Sequence, residues 1–318
     1  AGAPASRLLS TPPAARGAGG GVWRPPLRGG GGPPAPPRLV YINRPNGLAD
    51  FDLVVVPPQY GVPPHPNVLR LALPLQRPRP ADPTLIDAWR AEWAAKPTPW
   101  IAVLVGGATQ PLVLDGAGVD RLMAGCRRVA EACKGTLLLT TSPRTPAALW
   151  PRLEAWLRPG DVGYRWRPDA QGANPYAALL ALAHRFVVTA DSVSMATEVV
   201  RTGKPLAIAP LPARWSWGKR AKNALQRAVH GAPPGTPLAP WRRRLSDAAN
   251  GLGLTYYRDL EDFRRHLIAR GWAEATIDGL GDSTCQDRRA RAAPPPDDLE
   301  RVAATVRQLF CPRQGEKP

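Results

Sequence analysis

The residues best suited to chemistry in this sequence lie in VVTADSVSMATEVVRTGKP, residues 187–205. Asp191, Ser192 and Ser194 follow a β-branched run, and Glu198 comes about one and a half helical turns later. A strand, a polar turn and a helix N-terminus suit a phosphate, because free N–H groups and the positive end of the helix dipole meet there. A carboxylate at position 198 could accept hydrogen bonds from both hydroxyls of a ribose. The pattern equally suits an ordinary capped helix with Glu198 in solvent.

Five residues outside that turn could contribute to the same ligand site. Gly106 and Gly107 end an apolar run, and a backbone without side chains can approach a ligand closely. Ser142 and Arg144 follow the next apolar run, and Lys204 could add positive charge near a phosphate.

The elements that must position these residues alternate between strands and helices. Strands are predicted at 99–107, 135–141, 186–190 and 205–211, and helices at 117–133, 174–185, 192–202, 259–270 and 296–310. Asn174-Pro175 is a typical helix start, with a capping side chain before a proline. Such alternation predicts a doubly wound parallel α/β sheet, in which ligands bind at the carboxyl ends of the strands.

The chain before residue 99 differs in composition. Residues 1–37 contain 9 Gly, 9 Pro and no acid, so we expect a disordered low-complexity segment. Short β-branched runs at 38–42, 52–56 and 67–75 predict three buried strands. A Pro-rich linker at 76–83 separates them from the main block.

The net charge of +17 favours an anionic partner. Nucleic acid is not expected, since the sequence has no zinc-finger spacing, RNP-like aromatic motif or basic-region heptads. The segment 213–244 holds eight Arg or Lys, no acid and three tryptophans. It suits an anionic membrane surface, with Trp at the interface, or a solvated basic face whose tryptophans pack inward.

No apolar run reaches the length of a membrane-spanning helix. The four cysteines are Cys126, Cys133, Cys285 and Cys311. Because they form no CxxC pair or metal-ligand spacing, we expect no metal site and a reduced, cytoplasmic protein. If the segment 213–244 contacts a membrane, we expect the protein to be peripheral at its inner face.

The succession VLVGG, TTSPRTP and GANPYAALLALAHRFVVTADSVSMATEVVRTGKP resembles the bacterial relatives of the plant mitochondrial-fission ("elongated mitochondria") family. The resemblance covers roughly residues 38–275, and the NPY, VTADSVSM and TGKP segments are its most specific parts. It implies two Rossmann-like domains of the GT-B glycosyltransferase type. It also implies that Ser192 and Ser194 face the diphosphate of a nucleotide sugar and that Glu198 holds its ribose.

Four segments follow from this resemblance. They are a disordered segment at 1–37, a remnant of an N-terminal acceptor domain at 38–80, a donor domain at 81–275, and a linker with a closing helix at 276–318. The family's opening GK-AG-HxNQ-like loop has no counterpart in residues 1–37, so the first domain is expected to be truncated or degraded. The expected SRRTP loop is SPRTP here, which leaves Arg144 as its phosphate contact. His65, in the first half, is the candidate for a catalytic base.

Two functions are therefore predicted. One is transfer of a sugar from a nucleoside-diphosphate donor to an envelope or lipid-linked acceptor, with no cofactor. The other is a non-catalytic peripheral membrane adaptor on the same fold. An epimerase is not expected, because no GxGxxG loop follows a strand and no YxxxK pair is present. The sequence leaves the oligomeric state open.

Overall fold

The computed structural model describes residues 37–310, except 78–81, 108, 169–173, 232–235 and 237. The segment predicted to be disordered, residues 1–37, lies outside the described residues apart from Pro37. From Arg38 onward the chain forms one unit.

The first strands form a small sheet with parallel pairing. They are β1 (Val40–Ile42), β2 (Leu53–Val56) and β4 (Val68–Arg70), whereas the two-residue strand β3 (Tyr60–Gly61), between β2 and β4 in the chain, does not belong to this sheet. β1, β2 and β4 pair in that order, all parallel, which confirms strands at the three predicted positions. The prediction that they are buried is wrong for β1 and β4, whose residues are half-buried or exposed because these strands lie at the two edges of the sheet. All four residues of β2 are buried, as expected for a central strand.

A larger sheet of five parallel strands follows. Its strands are β5 (Trp100–Val105), β6 (Thr136–Thr141), β7 (Val162–Tyr164), β8 (Arg185–Thr189) and β9 (Leu206–Ala209). Their order in the sheet is β7-β6-β5-β8-β9. The chain therefore winds outward from β5 in one direction and then crosses to β8 to continue in the other. This reversal places a topological switch point between β5 and β8, where open α/β sheets bind ligands.

Helices cover both faces of the larger sheet. The helices are α1 (Pro83–Trp93), α2 (Gly116–Cys133), α3 (Trp150–Glu154), α4 (Tyr176–Leu182), α5 (Val193–Thr202), α6 (Trp217–His230), α7 (Pro240–Gly251), α8 (Leu260–Ala269), α9 (Cys285–Arg291) and α10 (Asp298–Phe310). Met123 and Cys126 of α2 pack on one face of the sheet, whereas Trp93 of α1 and Val199 of α5 pack on the other. The predicted doubly wound α/β class is thereby confirmed. No helix among the described residues is long and apolar enough to cross a membrane.

The last helix returns to the first sheet. Asp298, fully buried at the start of α10, accepts hydrogen bonds from the N–H groups of Ala72 (2.7 Å) and Leu73 (2.9 Å). Val302 packs in the cluster formed by Leu53 and other apolar residues of this sheet. The predicted closing helix is confirmed.

The apolar side chains of this helix do not all pack on the sheet. Val302, Val306 and Leu309 pack on the sheet, but Leu299 is 52% exposed. Leu299 lies in the first turn, where the helix makes contact through the buried Asp298 instead.

The first sheet is also linked to the chain after α7. The short strand β10 (Tyr257–Arg258) pairs antiparallel with β3, and Asp259 N–H donates to the carbonyl of Gln59 at 2.8 Å. The guanidinium of Arg44, just after β1, donates to the carbonyl of Tyr256 at 2.6 Å. These bonds hold the loop after β1 close to residues 254–260.

Candidate functional site

Three polar loops meet at the carboxyl edge of the larger sheet. Gly106 follows β5, Ser142 follows β6, and Asp191 follows β8. Because β5 pairs with both β6 and β8 in parallel register, these loops must lie side by side. They frame the switch point between β5 and β8, the position at which the sequence predicted a ligand site.

The backbone N–H groups of the two glycines are already hydrogen-bonded. Gly106 N–H donates to Thr189 Oγ1 at 2.8 Å, and Gly107 N–H donates to Asp191 Oδ2 at 2.7 Å. These amides therefore join the end of β5 to the end of β8. Any binding of a ligand by this loop would require other groups or would have to displace these bonds.

Both glycines are needed because other groups approach their α-carbons. A Cβ on Gly106 would lie 2.0 Å from Ser192 Oγ, and a Cβ on Gly107 would lie 2.1 Å from the carbonyl oxygen of Arg144. Real Cβ atoms essentially never make contacts this short. The glycine pair thus lets the loops after β6 and β8 pack directly against the end of β5.

The carboxyl group of Asp191 is buried at this edge, with 2% of the residue exposed. Its Oδ2 accepts from Gly107 and lies 3.3 Å from Ser192 Oγ, while Oδ1 accepts from no group that the structure describes. Burial raises the pKa of this carboxyl above its usual value.

The N-terminus of α5 has no side-chain cap among the described groups. Ser192 occupies the N-cap position, but its hydroxyl turns to Asp191 and caps no described amide. The first-turn N–H groups of a helix have no partner within the helix. Ser194, in that turn, is exposed, and its carbonyl accepts from Gln76 Nε2 at 3.0 Å. This helix end therefore presents unpaired donors at the switch point.

Glu198, in the second turn of α5, lies beside Tyr176 of α4. Its Oε2 accepts a hydrogen bond from the hydroxyl of Tyr176, and burial together with this carboxylate raises the pKa of the tyrosine. Asn174 Oδ1 accepts from Tyr176 N–H at 2.9 Å, but the helix begins one residue later than predicted, with Pro175 at the N-cap position. Tyr176 is the third residue of the NPY segment, but no local pattern marks it as a site residue.

The loop after β6 carries Ser142 and Arg144 to the same edge. Ser142 Oγ is 3.0 Å from Thr145 Oγ1, and Thr145 Oγ1 donates to the carbonyl of Val105 at 3.0 Å. The guanidinium of Arg144 donates to Thr109 Oγ1 at 3.0 Å, in the loop after the glycine pair. Arg144 is thus the candidate cation that the fold brings beside this loop.

Lys204 and His65 are not brought to this edge. Lys204 precedes β9, at the amino ends of the strands, and its Nζ donates to the carbonyls of Leu180 (2.9 Å) and Ala181 (2.6 Å) at the end of α4. His65 precedes β4 and its Nδ1 contacts Asn67 Oδ1. The expected position of Lys204 beside a phosphate at the switch point is therefore corrected, and the role of His65 as a base stays a prediction.

The basic segment 213–244 contains α6 and the start of α7. Trp217 is 86% exposed and Trp241 is 66% exposed, whereas Trp215 is half-buried. The alternative in which the tryptophans pack inward is therefore wrong for two of the three. Within the described part of the chain, no group of three or more His, Cys, Asp or Glu side chains is placed to hold a metal ion.

A doubly wound parallel sheet with polar loops at its switch point defines a Rossmann-like α/β protein with a candidate ligand crevice. Residues 34–250 match the family described as Mitochondrial fission ELM1, and this match spans more than half of the chain. The chain therefore belongs to that family, as the sequence motifs predicted.

A curated relative agrees with this assignment. The Mitochondrial fission protein ELM1 of Arabidopsis thaliana is 29% identical over 192 residues, which cover 59% of this chain and 42% of the relative. The chain thus spans less than half the length of this relative.

Solved glycosyltransferases are distant structural neighbours. WaaG, a glycosyltransferase involved in lipopolysaccharide biosynthesis, is 14% identical with a TM-score of 0.32, over 76% of this chain and 57% of that chain. UGT71G1 of Medicago truncatula, complexed with UDP-glucose, is 12% identical with a TM-score of 0.30, over 76% and 50%. The fold class rests on the strand order rather than on likenesses this distant.

Proposed function

We propose that the switch-point edge binds a nucleoside-diphosphate sugar and that the protein transfers the sugar to an envelope or lipid-linked acceptor. The observation that carries this proposal is the uncapped N-terminus of α5 beside Gly106 and Gly107. Unpaired helix amides and the positive end of the dipole are suited to a diphosphate. Membership of the family leaves both sugar transfer and an adaptor role open.

The neighbouring residues have defined parts in this proposal. The amides around Ser194 and the guanidinium of Arg144 stabilise the charge that develops on the leaving diphosphate. Glu198, with one oxygen already held by Tyr176, orients the ribose.

Calorimetric titration tests the donor site. UDP, GDP and UDP-N-acetylglucosamine are titrated into the protein, into Glu198→Ala and into the control Glu92→Ala, which removes an exposed acid of α1. We expect micromolar binding of at least one nucleotide, weakened on the order of 10-fold or more by Glu198→Ala, because hydrogen bonds to charged groups contribute about 1.5–3 kcal/mol. Glu92→Ala should bind as the unchanged protein does.

Two results would overturn this proposal. Heat from none of the three nucleotides would remove the donor site, and equal affinity in both variants would remove Glu198 from it. If a nucleotide binds, release of the nucleoside diphosphate from the nucleotide sugar in the presence of membrane extract then measures turnover.

A second candidate function, a non-catalytic peripheral membrane adaptor, is favoured by one observation. Trp217, Trp241 and Leu252 are 86%, 66% and 89% exposed on and just after α6 and α7. Basic side chains alternate with them along both helices. Exposed tryptophans among cations suit the interface of an anionic bilayer.

Vesicle sedimentation tests the adaptor function. The protein, the double variant Trp217→Ala/Trp241→Ala and the control Leu299→Ala/Phe310→Ala are mixed with phosphatidylcholine vesicles, with or without phosphatidylglycerol. We expect binding only to the anionic vesicles and a loss on the order of 10-fold in the tryptophan variant alone. Binding that ignores lipid charge, or an equal loss in both variants, would contradict it.

A further inference from the structure

A second cavity, of about 260 Å³, lies beside the switch-point edge and is lined by residues from both sheets' loops. Five of its lining side chains are cationic, Arg44, Arg214, Lys219, Lys222 and Arg258. They come from the loop after β1, the loop after β9, α6 and β10. None of the described residues that line it is acidic.

Most of this charge is not neutralised within the described protein. Arg214 forms an ion pair with Asp115 at 2.8 Å. Arg44 donates to the carbonyl of Tyr256, and Lys219 donates to Gln110 Oε1 at 2.8 Å, but these acceptors carry no net charge. Cations that converge from separate segments repel one another, and a bound anion would relieve that repulsion.

The walls of the cavity are fixed by hydrogen bonds within the protein. Arg214 N–H donates to the carbonyl of Pro111, and Val113 N–H donates to the carbonyl of Pro212, both at 2.9 Å. On the opposite side, Gln226 Nε2 donates to the carbonyl of Thr255 at 2.6 Å. A cavity held in this way does not need to be ordered by its ligand, which favours binding.

The cavity shares a loop with the proposed donor site. Gln110 lines the cavity, and the adjacent Thr109 accepts a hydrogen bond from Arg144 at the switch-point edge. A group bound in the cavity would therefore lie next to a donor bound at that edge. Trp215, half-buried, adds a flat apolar wall that suits the face of a sugar ring.

We propose that this cavity binds the phosphate or diphosphate group of the acceptor, so that the acceptor class is a phosphorylated compound. That the bound group belongs to an acceptor rests on the proposed sugar transfer, but anion binding in the cavity does not depend on it. Pockets for drug-sized ligands measure about 300–1,000 Å³, so this smaller cavity suits an anionic head group better than a whole nucleotide sugar. The guanidinium groups of Arg44 and Arg258, from the loop after β1 and from β10, can both donate N–H groups to phosphate oxygens.

Pyrophosphate is the probe, because lipid-linked and soluble phosphorylated acceptors would both bind through a phosphate or diphosphate group. It is titrated calorimetrically into protein already saturated with UDP, so that the donor site is occupied. Lys222→Gln removes a lining cation, and Arg220→Gln removes an exposed cation of the same helix that does not line the cavity. We expect Lys222→Gln to lower the affinity for pyrophosphate by about 10-fold, while Arg220→Gln changes this affinity by less than about 2-fold.

A second variant and a second ligand separate the outcomes. The double variant Arg44→Gln/Arg258→Gln should lower the affinity for pyrophosphate further without changing the affinity for UDP. Glu198→Ala should lower only the affinity for UDP. Geranyl diphosphate that binds more tightly than pyrophosphate, with the same loss in Lys222→Gln, indicates a lipid-linked acceptor. Equal affinity for the two indicates a soluble phosphorylated acceptor.

The proposal is overturned if pyrophosphate gives no heat, or if Lys222→Gln and Arg220→Gln weaken it equally, because only general electrostatic attraction would then be at work. If UDP does not bind at all, the proposed sugar transfer fails, and the comparison of these two variants still decides whether the cavity binds a phosphate.

Discussion

The carboxyl group of Asp191 accepts a hydrogen bond from the backbone N–H of Gly107 at 2.7 Å and thereby joins the ends of β8 and β5. The same carboxyl is buried, and its Oδ1 has no partner among the described groups. An acid in this setting holds the loops of the switch point together and does so at an electrostatic cost when it is ionised.

Asp191→Asn should change the pH dependence of stability. The pKa of Asp191 is raised in the folded protein, so the native state binds the proton more tightly than the unfolded state does. The native state of the unchanged protein therefore loses stability as pH rises from about 4 through the folded pKa, by about 1.4 kcal/mol for each unit of the shift. Asparagine does not titrate, so the stability difference should move in favour of the variant over that window.

Urea unfolding of both proteins between pH 4 and pH 8 measures this difference. Asp50→Asn, at an exposed carboxylate, controls for the removal of one negative charge. A difference that moves against Asp191→Asn as pH rises would contradict the buried, raised-pKa description of this group.

Gly107→Ala should be strongly destabilising. Its Cβ would lie 2.1 Å from the backbone carbonyl oxygen of Arg144, so the loop after β6 would have to move. Overpacking of this kind costs about 1–3 kcal/mol in the free energy of unfolding. Gly218→Ala is the matched control, since nothing lies within 4 Å of its Cβ and alanine favours the helix α6 by about 0.5–1 kcal/mol. Similar urea midpoints for the two variants would contradict the close packing of the Arg144 carbonyl against Gly107.

Lys204→Met should affect stability but not nucleotide binding. The Nζ group of Lys204 donates to two carbonyls at the end of α4, at the edge opposite the proposed donor site. Methionine keeps the apolar stem but loses these hydrogen bonds, at a cost of about 1.5–3 kcal/mol. Urea unfolding and UDP titration on the same sample separate the two effects, with exposed Arg244→Met as a control. A drop in UDP affinity with unchanged stability would indicate that Lys204 does contact the phosphates.

Strands and the site's position were predictable from sequence because both depend on local patterns. The β-branched runs gave strands within a few residues of β2, β6 and β8, and the carboxyl-end rule placed Asp191 near Gly106. Lys204 was misplaced for a geometric reason. It precedes a strand instead of following one, so it lies at the amino edge even though only six residues separate it from Glu198.

Other features needed the tertiary structure. The strand β7 has only three residues, one of them a glycine, so its sequence shows no clear alternation of apolar and polar residues. The helix α1 begins directly after a Pro-rich stretch, and its start depends on Asp82 Oδ1 accepting from Thr84 N–H at 3.0 Å. The use of both glycine amides within the protein also depends on loops from distant parts of the chain, so no local pattern signals it.

Asp298 provides the last prediction, because it attaches α10 to the first sheet. Its Oδ2 accepts from the N–H groups of Ala72 and Leu73, and its Oδ1 accepts from Arg301. Asp298→Ala should leave two buried N–H groups without a partner, at about 1–3 kcal/mol each. Asp298→Asn keeps an acceptor for them and should cost less.

Urea unfolding and limited proteolysis within residues 38–75 measure this attachment. We expect Asp298→Ala to lower the free energy of unfolding most and to expose this segment to protease first, since the helix no longer holds the sheet. Glu300→Ala, which removes an exposed ion pair of the same helix, should change the free energy by less than about 1 kcal/mol. Equal effects of Asp298→Ala and Glu300→Ala would mean that the apolar contacts of Val302, Val306 and Leu309 are enough to attach the helix.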